Sequence, residues 1–150
     1  LTKGEENKPS LYIISGPSGV GKGTVIKAFN EKYDYFSRVV TCTTRQPRPG
    51  EVDGVDYNFI TPDEFKKGIK NGEFAEYVNI YGDTFYGTKI ADVNDMLKKG
   101  KNPLLEINVD GAKEIKSKMD NVRCIFIKPQ SINILKEHLS DEFCIFYICL

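Results

Sequence analysis

A glycine-rich loop between an apolar strand and a helix constrains this chain most. Leu11–Ser15 is a short apolar run, GPSGVGK follows at residues 16–22, and Thr24–Tyr33 has the apolar spacing of a helix. A loop of this pattern turns successive backbone N–H groups into one concavity, and the helix N-terminus adds the positive end of its dipole. The sequence therefore predicts a phosphate-binding loop, in which Lys22 supplies a point charge for the terminal phosphates.

The loop departs from the usual pattern at its next position. Ser or Thr is expected after the lysine, because its hydroxyl reaches a magnesium ion, but Gly23 stands there and Thr24 follows it. Thr24 is thus the predicted metal-binding hydroxyl, and the competing interpretation of the whole run is a plain glycine turn before a helix. The residues expected to contact phosphate are Gly16, Pro17, Ser18, Gly19, Val20, Gly21, Lys22, Gly23 and Thr24.

Strands alternate with helices along most of the chain, which predicts an α/β fold with a parallel sheet covered on both faces. The β-rich stretch 38–86 interrupts the alternation and is interpreted as an inserted lobe. The further predicted strands are 38–41, 58–61, 74–80, 85–86, 103–109 and 123–127, and the further predicted helices are 62–69, 88–99, 112–118 and 132–139.

The length of 150 residues predicts one domain. Its expected parts are a flexible tail at 1–10, a core at 11–34 and 88–139, the lobe at 35–87 and an atypical tail at 140–150. The tail at 140–150 is strongly apolar and forms either a final strand or an exposed, aggregation-prone end.

Charge and cysteine content exclude several classes of function. Lys+Arg and Asp+Glu are both 21, so the chain is not a basic nucleic-acid-binding protein. No apolar run approaches the ~20 residues of a membrane helix, and the polar start lacks a signal-peptide core. The 4 cysteines lack metal-site spacing and predict reduced thiols in a cytoplasmic protein, the alternative being a disulfide in an oxidising compartment.

Five runs in the chain resemble the landmarks of the guanylate kinase family, in that family's order. They are GPSGVGKGT (16–24), TTRQPRPGEVDGVDYNF (43–59), GEFAEY (72–77), YGT (86–88) and LLEINVDG (104–111). The resemblance covers roughly residues 11–139. It implies a three-layer P-loop kinase fold with a parallel core sheet and a GMP-binding lobe. It also implies the reaction of ATP and GMP to ADP and GDP with Mg²⁺. We expect a monomer that binds ATP and GMP and has no nucleic-acid or membrane partner.

The lobe carries the candidate contacts to the GMP phosphate. Three of the four arginines, Arg38, Arg45 and Arg48, fall close together, and Arg45 and Arg48 offer planar forks that match a phosphate. The alternative is that Arg45 and Arg48 are ordinary surface charges on a solvated loop. The resemblance adds the hydroxyls of Tyr57 and Tyr86, whose alternative role is that of half-buried sheet aromatics. Lys22, Arg45 and Arg48 are the predicted catalytic residues.

The guanine base needs a carboxylate, because its N1–H and N2 amine are adjacent donors. The resemblance assigns this role to Glu76, with help from Thr41 and Thr88, and the alternative for Glu76 is a surface carboxylate on a strand. Glu106 and Asn108 lie two apart on a predicted strand and are expected to face the same way towards GMP. The family usually has aspartate at the position of Asn108, which predicts that an amide carbonyl here replaces the charged group.

The stretch after Arg123 differs most from the family, which places lid arginines there. This chain has no arginine after Arg123, and His138 stands where one is expected. The sequence therefore predicts a turnover slower than that of a relative with a full set of lid arginines, by a factor on the order of 10³. A truncated, misread or partly omitted C-terminus is the alternative explanation. Three functions remain open at this stage: an active kinase, a nucleotide-binding protein without catalysis, and a guanylate-kinase-like interaction module.

Overall fold

The computed structural model describes residues 8–129 and 147–149. Its strands are β1 (Leu11–Ser15), β2 (Phe36–Arg38), β3 (Cys42–Thr43), β4 (Asn58–Phe59), β5 (Phe74–Tyr81), β6 (Thr84–Lys89), β7 (Asn102–Glu106), β8 (Val122–Lys128) and β9 (Tyr147–Cys149). Its helices are α1 (Lys22–Tyr33), α2 (Pro62–Lys70), α3 (Ile90–Lys98) and α4 (Val109–Lys118).

The core sheet has the order β2-β7-β1-β8-β9, in which β2, β7, β1 and β8 run parallel and β9 runs antiparallel at one edge. Ile14, Leu104 and Ile127 pack with residues of α1 on one face. Leu11, Ile13 and Leu105 pack with α3 and α4 on the other face. Apolar residues on both faces are what a covered parallel sheet requires, and the predicted three-layer α/β fold is confirmed.

The order of the strands positions the functional loops. β7 pairs with β1, and α4 then carries the chain past β1 to β8 on its other side. The carboxyl ends of β1 and β7 therefore lie side by side, where the connections diverge in opposite directions. In open α/β sheets this is the place where ligands bind.

A second sheet, of order β4-β3-β6-β5, forms with α2 the part of the molecule called the lobe below (residues 42–89). It has its own small core, in which the ring of Phe65 stacks against those of Phe74 and Phe85 at centroid distances of 4.2 and 5.2 Å. α2 begins at Pro62, as the sequence predicts, because Thr61 and Glu64 form a reciprocal capping box. A turn at Gly82 and Asp83, residue types that favour turns and so predict one here, joins β5 to β6.

Several predicted boundaries are wrong, and strand pairing or helix capping explains three of them. The strand predicted at 38–41 is divided, because β2 pairs with β7 in the core sheet and β3 pairs with β4 and β6 in the lobe. The helix predicted from Thr88 begins at Ile90, since Thr88 is still paired with Glu76 in the lobe. The strand predicted to reach Val109 ends at Glu106, and Asn108 caps α4 instead.

Some predictions concern residues outside the described ones. These are the helix at 132–139 with His138 and most of the tails at 1–10 and 140–150. Within the atypical C-terminal tail, residues 147–149 form β9, in agreement with the final-strand alternative. In the part of the chain that the structure describes, no helix is both long and apolar enough to cross a membrane.

Candidate active site

The glycine-rich loop connects the buried end of β1 to the first residue of α1. Gly21, directly before the helix, has φ +85°, a left-handed conformation that glycine adopts without strain. Gly16 is required for a different reason: a Cβ there would overlap the carbonyl oxygen of Ile127 in β8. Val20 is buried and anchors the loop to the α1 side of the sheet. The loop therefore follows a tight path that places the N-terminus of α1 at the end of the sheet.

Lys22 folds back over this loop. Its Nζ donates to the carbonyl oxygens of Gly16 and Pro17 at 3.1 and 3.0 Å. The same ammonium lies 3.9 Å from Oε1 of Glu106, at the end of the neighbouring strand β7. The Lys22 side chain is only 14% exposed, so its charge stands in a partly desolvated position at the carboxyl edge of the sheet.

Gly23 lines the cleft beside the loop, and Thr24 does not. Gly23 lines a cleft of about 520 Å³ that also contacts Ile26, Leu104 and Glu106. Successive residues of a helix are rotated by about 100°, and Thr24 is not among the residues lining this cleft. Thr24 as the metal-binding hydroxyl stays a prediction. The glycine at the preceding position leaves bare backbone where the usual pattern has a hydroxyl.

The cleft continues into the lobe. A second cavity of about 190 Å³ shares Thr41, Tyr57 and Glu106 with the larger cleft and is lined on the lobe side by Glu76 and Tyr86. Asn108 lines the smaller cavity too, from the core side. Six of the nine predicted GMP contacts therefore surround one cavity, within a continuous depression that reaches α1.

Arg45 lines a separate cavity of about 390 Å³, and its guanidinium contacts Tyr57 and Tyr86, which line the smaller cavity of the depression. Its Nη1 and Nη2 donate to Oε2 and Oε1 of Glu51, both at 2.6 Å, and its Nε donates to the Tyr86 hydroxyl at 3.0 Å. The guanidinium also lies 5.0 Å from the centroid of the Tyr57 ring. The paired hydrogen bonds with Glu51 raise the pKa of Arg45, and they lower the pKa of Glu51 to about 2.

Arg48 is placed by a β-turn. The Glu51 N–H donates to the Arg48 carbonyl at 3.0 Å, and the turn has Pro49 and then Gly50 with φ +88°. Proline followed by a left-handed glycine is the pair that a type II turn favours. The Arg48 N–H in turn donates to Oε2 of Glu51 at 2.7 Å. The two arginines are thus linked through one carboxylate, and the Arg48 side chain extends from an exposed loop.

Glu76 is the buried carboxylate of the lobe. It is 6% exposed, and its Oε1 accepts a 2.7 Å hydrogen bond from the Thr88 hydroxyl on the adjacent strand. Burial raises the pKa of Glu76, and the Thr88 hydrogen bond opposes that rise. The alternative of a surface carboxylate on a strand is therefore wrong, because this buried residue lines the smaller cavity.

Asn108 follows strand β7 instead of belonging to it. Its Oδ1 accepts the Gly111 N–H at 2.8 Å and so caps α4, and the same oxygen keeps a second lone pair that a ligand can use. Glu106 and Asn108 do not share a strand face, although both line the smaller cavity. A Cβ on Gly111 would lie 3.3 Å from both Asn108 Oδ1 and Glu76 Oε2, a tight contact that shows how closely the first turn of α4 approaches the Glu76 carboxylate.

Sequence reasoning missed two residues of this site, Glu51 and Gly111. A signal for Glu51 was present, because Pro49-Gly50 predicts a turn that brings residue 51 back to residue 48. Gly111 gave no local signal: its importance comes from the packing of α4 against β5, which joins positions distant in the sequence.

Comparison with known proteins finds similarity to one family. A family model described as guanylate kinase matches residues 8–142. A curated guanylate kinase of Clostridium perfringens (strain ATCC 13124) is 47% identical over 135 residues, which cover 90% of this chain and 62% of that protein. A guanylate kinase of Lactobacillus acidophilus is 47% identical over 140 residues, covering 91% of this chain and 68% of the relative.

The fold has a matching solved structure as well. The crystal structure of guanylate kinase from Anaplasma phagocytophilum superposes with a TM-score of 0.68 at 30% identity, covering 91% of this chain and 66% of that one. The chain spans about 62% of the length of the Clostridium perfringens relative.

Proposed function

The chain belongs to the guanylate kinase family, and we propose that it transfers the γ-phosphoryl group of ATP to the phosphate of GMP, giving ADP and GDP. The observation that carries this proposal is the continuity of the two cavities. Thr41, Tyr57 and Glu106 line both the cleft that reaches α1 and the cavity that holds Glu76. ATP bound at the glycine-rich loop and GMP bound in the lobe would therefore meet in one depression, as a direct transfer of the phosphoryl group requires.

The two nucleotides would be bound by different chemistry. The backbone N–H groups of the loop and the Lys22 ammonium suit the phosphates of ATP. Arg45, Arg48 and the hydroxyls of Tyr57 and Tyr86 suit the phosphate of GMP, because planar guanidinium groups pair well with phosphate oxygens. Glu76 suits guanine, with Thr88 orienting the carboxylate through its 2.7 Å hydrogen bond and Thr41 on the facing wall.

The chain's own residues would act by position and charge rather than as a general base. Phosphoryl transfer needs the acceptor oxygen in line with the transferred group and needs its charge neutralised. Mg²⁺ bound with ATP would neutralise phosphate charge, and such an ion usually takes only one or two carboxylates from the protein. Glu106 fits that role, since its half-exposed carboxylate lies 3.9 Å from Nζ of Lys22 at the loop.

Replacing Arg45 with alanine is expected to weaken GMP binding on the order of 10²-fold, because one partner of an oriented charge pair is lost. ATP binding should change by less than about 3-fold, since the loop makes no contact with Arg45 in this account. Isothermal titration of each nucleotide measures both constants. Arg123→Ala is the matched control, because Arg123 is an exposed arginine at the start of β8. Equal losses for ATP and GMP in Arg45→Ala would contradict the assignment.

The raised pKa of Glu76 predicts a pH dependence of GMP binding. Guanine's two donors need an ionised carboxylate, and protonation converts one acceptor oxygen into a donor. The pKa of Glu76 is raised above 4.5, the ordinary value of a glutamate. As the pH is lowered, the affinity for GMP is therefore expected to begin to fall at a higher pH than it would with an ordinary glutamate. Below the raised pKa the affinity should fall by about tenfold per pH unit.

Glu76→Gln serves as the reference in this measurement, because GMP's own phosphate also titrates, with a pKa of about 6. Dividing the wild-type dissociation constant for GMP by that of Glu76→Gln cancels the contribution of the phosphate. We expect the ratio to rise as the pH is lowered from about 7.5 to about 4.5. A ratio that is constant over this range would show that Glu76 does not bind the base in its ionised form.

A further inference from the structure

Of the five N–H bonds of the Arg45 guanidinium, four have partners on the protein. Two go to Glu51, one to the Tyr86 hydroxyl and one to the Gln46 carbonyl at 2.9 Å. Among the described residues, only one N–H of Nη2 is left to bind a ligand. Arg45 therefore cannot offer GMP the two-pronged fork that its residue type suggests while Glu51 holds it.

Glu51 also fixes Arg48, since it accepts the backbone N–H of Arg48 at 2.7 Å. The β-turn at 48–51 and this bond fix the backbone of Arg48 relative to the carboxylate that holds the Arg45 guanidinium. The side chains of Arg45 and Glu51 are only 15% and 19% exposed, so little water competes for this pair. Tyr57 and Phe59 cover the guanidinium, whose carbon lies 5.0 and 5.7 Å from their ring centroids.

We propose that Glu51 is a positioning residue for the acceptor phosphate. It holds Arg45 as a fixed single donor and anchors the backbone of Arg48, whose exposed side chain supplies the fork. Glu51 carries this role without touching the nucleotide, because its two oxygens are occupied by the two arginines. The inference rests on the proposed function and adds to it a residue that controls only the phosphate end of GMP.

The test uses the complete chain with Glu51→Gln, which keeps the shape of the side chain and removes its charge and one acceptor. Titration calorimetry with GMP, guanosine and ATP is expected to show GMP weakened by about 10- to 100-fold, the usual cost of losing a partner that orients a binding group. Guanosine and ATP should bind as tightly as they do to the wild type, because neither places a phosphate between the two arginines. Glu51→Asp, which keeps the charge, is expected to restore part of the GMP affinity.

Glu64→Gln is the matched control in the same lobe. The Glu64 carboxylate also accepts a backbone N–H, at 2.8 Å, and a hydroxyl, at 2.7 Å, but both belong to Thr61. This variant should lose some stability of α2 without weakening GMP. A loss of guanosine affinity equal to the loss of GMP affinity in Glu51→Gln would show that the lobe as a whole is distorted, and would overturn the proposal.

A second pair of variants decides the matter if Glu51→Gln does not fold. Gly50→Ala strains the turn that places Glu51, and Gly72→Ala imposes the same strain after α2, where φ is +68°. We expect only Gly50→Ala to weaken GMP relative to guanosine, and equal GMP affinity in both variants would overturn the inference. A wild-type chain that binds guanosine but gains nothing from the phosphate of GMP would also overturn it. A wild-type chain that binds neither would instead refute the proposed function.

Discussion

Replacing Lys22 with alanine is expected to lower kcat for phosphoryl transfer by roughly 10²–10³-fold, the usual cost of removing one fixed donor from a developing negative charge. GMP should still bind, because the Lys22 ammonium contacts the loop carbonyls and Glu106 rather than the arginines of the lobe. Single-turnover kinetics gives the rate of the chemical step, and calorimetry gives the dissociation constant of GMP.

Lys32→Ala is the matched control for this experiment. Lys32 lies on the same helix, ten residues further along, about 15 Å from Lys22 at the rise of an α-helix. Its removal should leave the rate within about 2-fold of the wild type. If Lys22→Ala lost GMP affinity as severely as rate, the two nucleotides would not occupy separate parts of the depression.

Local signals predicted much of the fold. The strand at 11–15 and the loop after it follow from an apolar run, three glycines and a lysine, which all act within a few residues. The capping residues Thr61 and Glu64 fixed the start of α2, and Gly82 with φ +54° made the predicted turn between β5 and β6. Each of these features depends on neighbours in the chain, which is why the sequence alone is sufficient.

Long-range pairing explains the predictions that were wrong. Residues 38–41 have the composition of one strand, but the chain leaves the core sheet after Arg38 and enters the lobe at Cys42. The choice between partner strands is made by residues far away in the sequence, β7 for one half and β6 for the other. Thr88 likewise remains in a strand because Glu76 lies opposite it, although its own neighbourhood reads as helix.

In the candidate site, too, some features can be predicted from the sequence and others depend on the folded structure. Residue types and spacing make Lys22 and Arg45 candidates, because a phosphate needs cations in recognisable settings. Residue types and spacing do not show that Glu51 accepts a hydrogen bond from each terminal nitrogen of Arg45. Nor do they show that the side-chain carbonyl of Asn108 caps α4. Which hydrogen bonds a polar group has left for a ligand is a property of the folded neighbourhood.

Discrimination between guanine and adenine is the other large effect expected of this chain. Adenine has an unprotonated N1 where guanine has N1–H, so AMP would place an acceptor against the buried carboxylate of Glu76. Sites that hydrogen-bond a substrate reject the mismatched analogue by about 10⁴–10⁵. Glu76→Leu is expected to remove most of this preference by slowing GMP, while AMP remains a poor acceptor.

The most direct test of the account is therefore the formation of nucleoside diphosphate from [γ-³²P]ATP and Mg²⁺ with GMP or AMP as acceptor. We expect the 150-residue chain to label GMP to give GDP, and kcat/KM for AMP to be lower by at least about 10³. Labelling of AMP at a rate comparable to that of GMP, or no labelled GDP at all from a chain that binds both nucleotides, would contradict it.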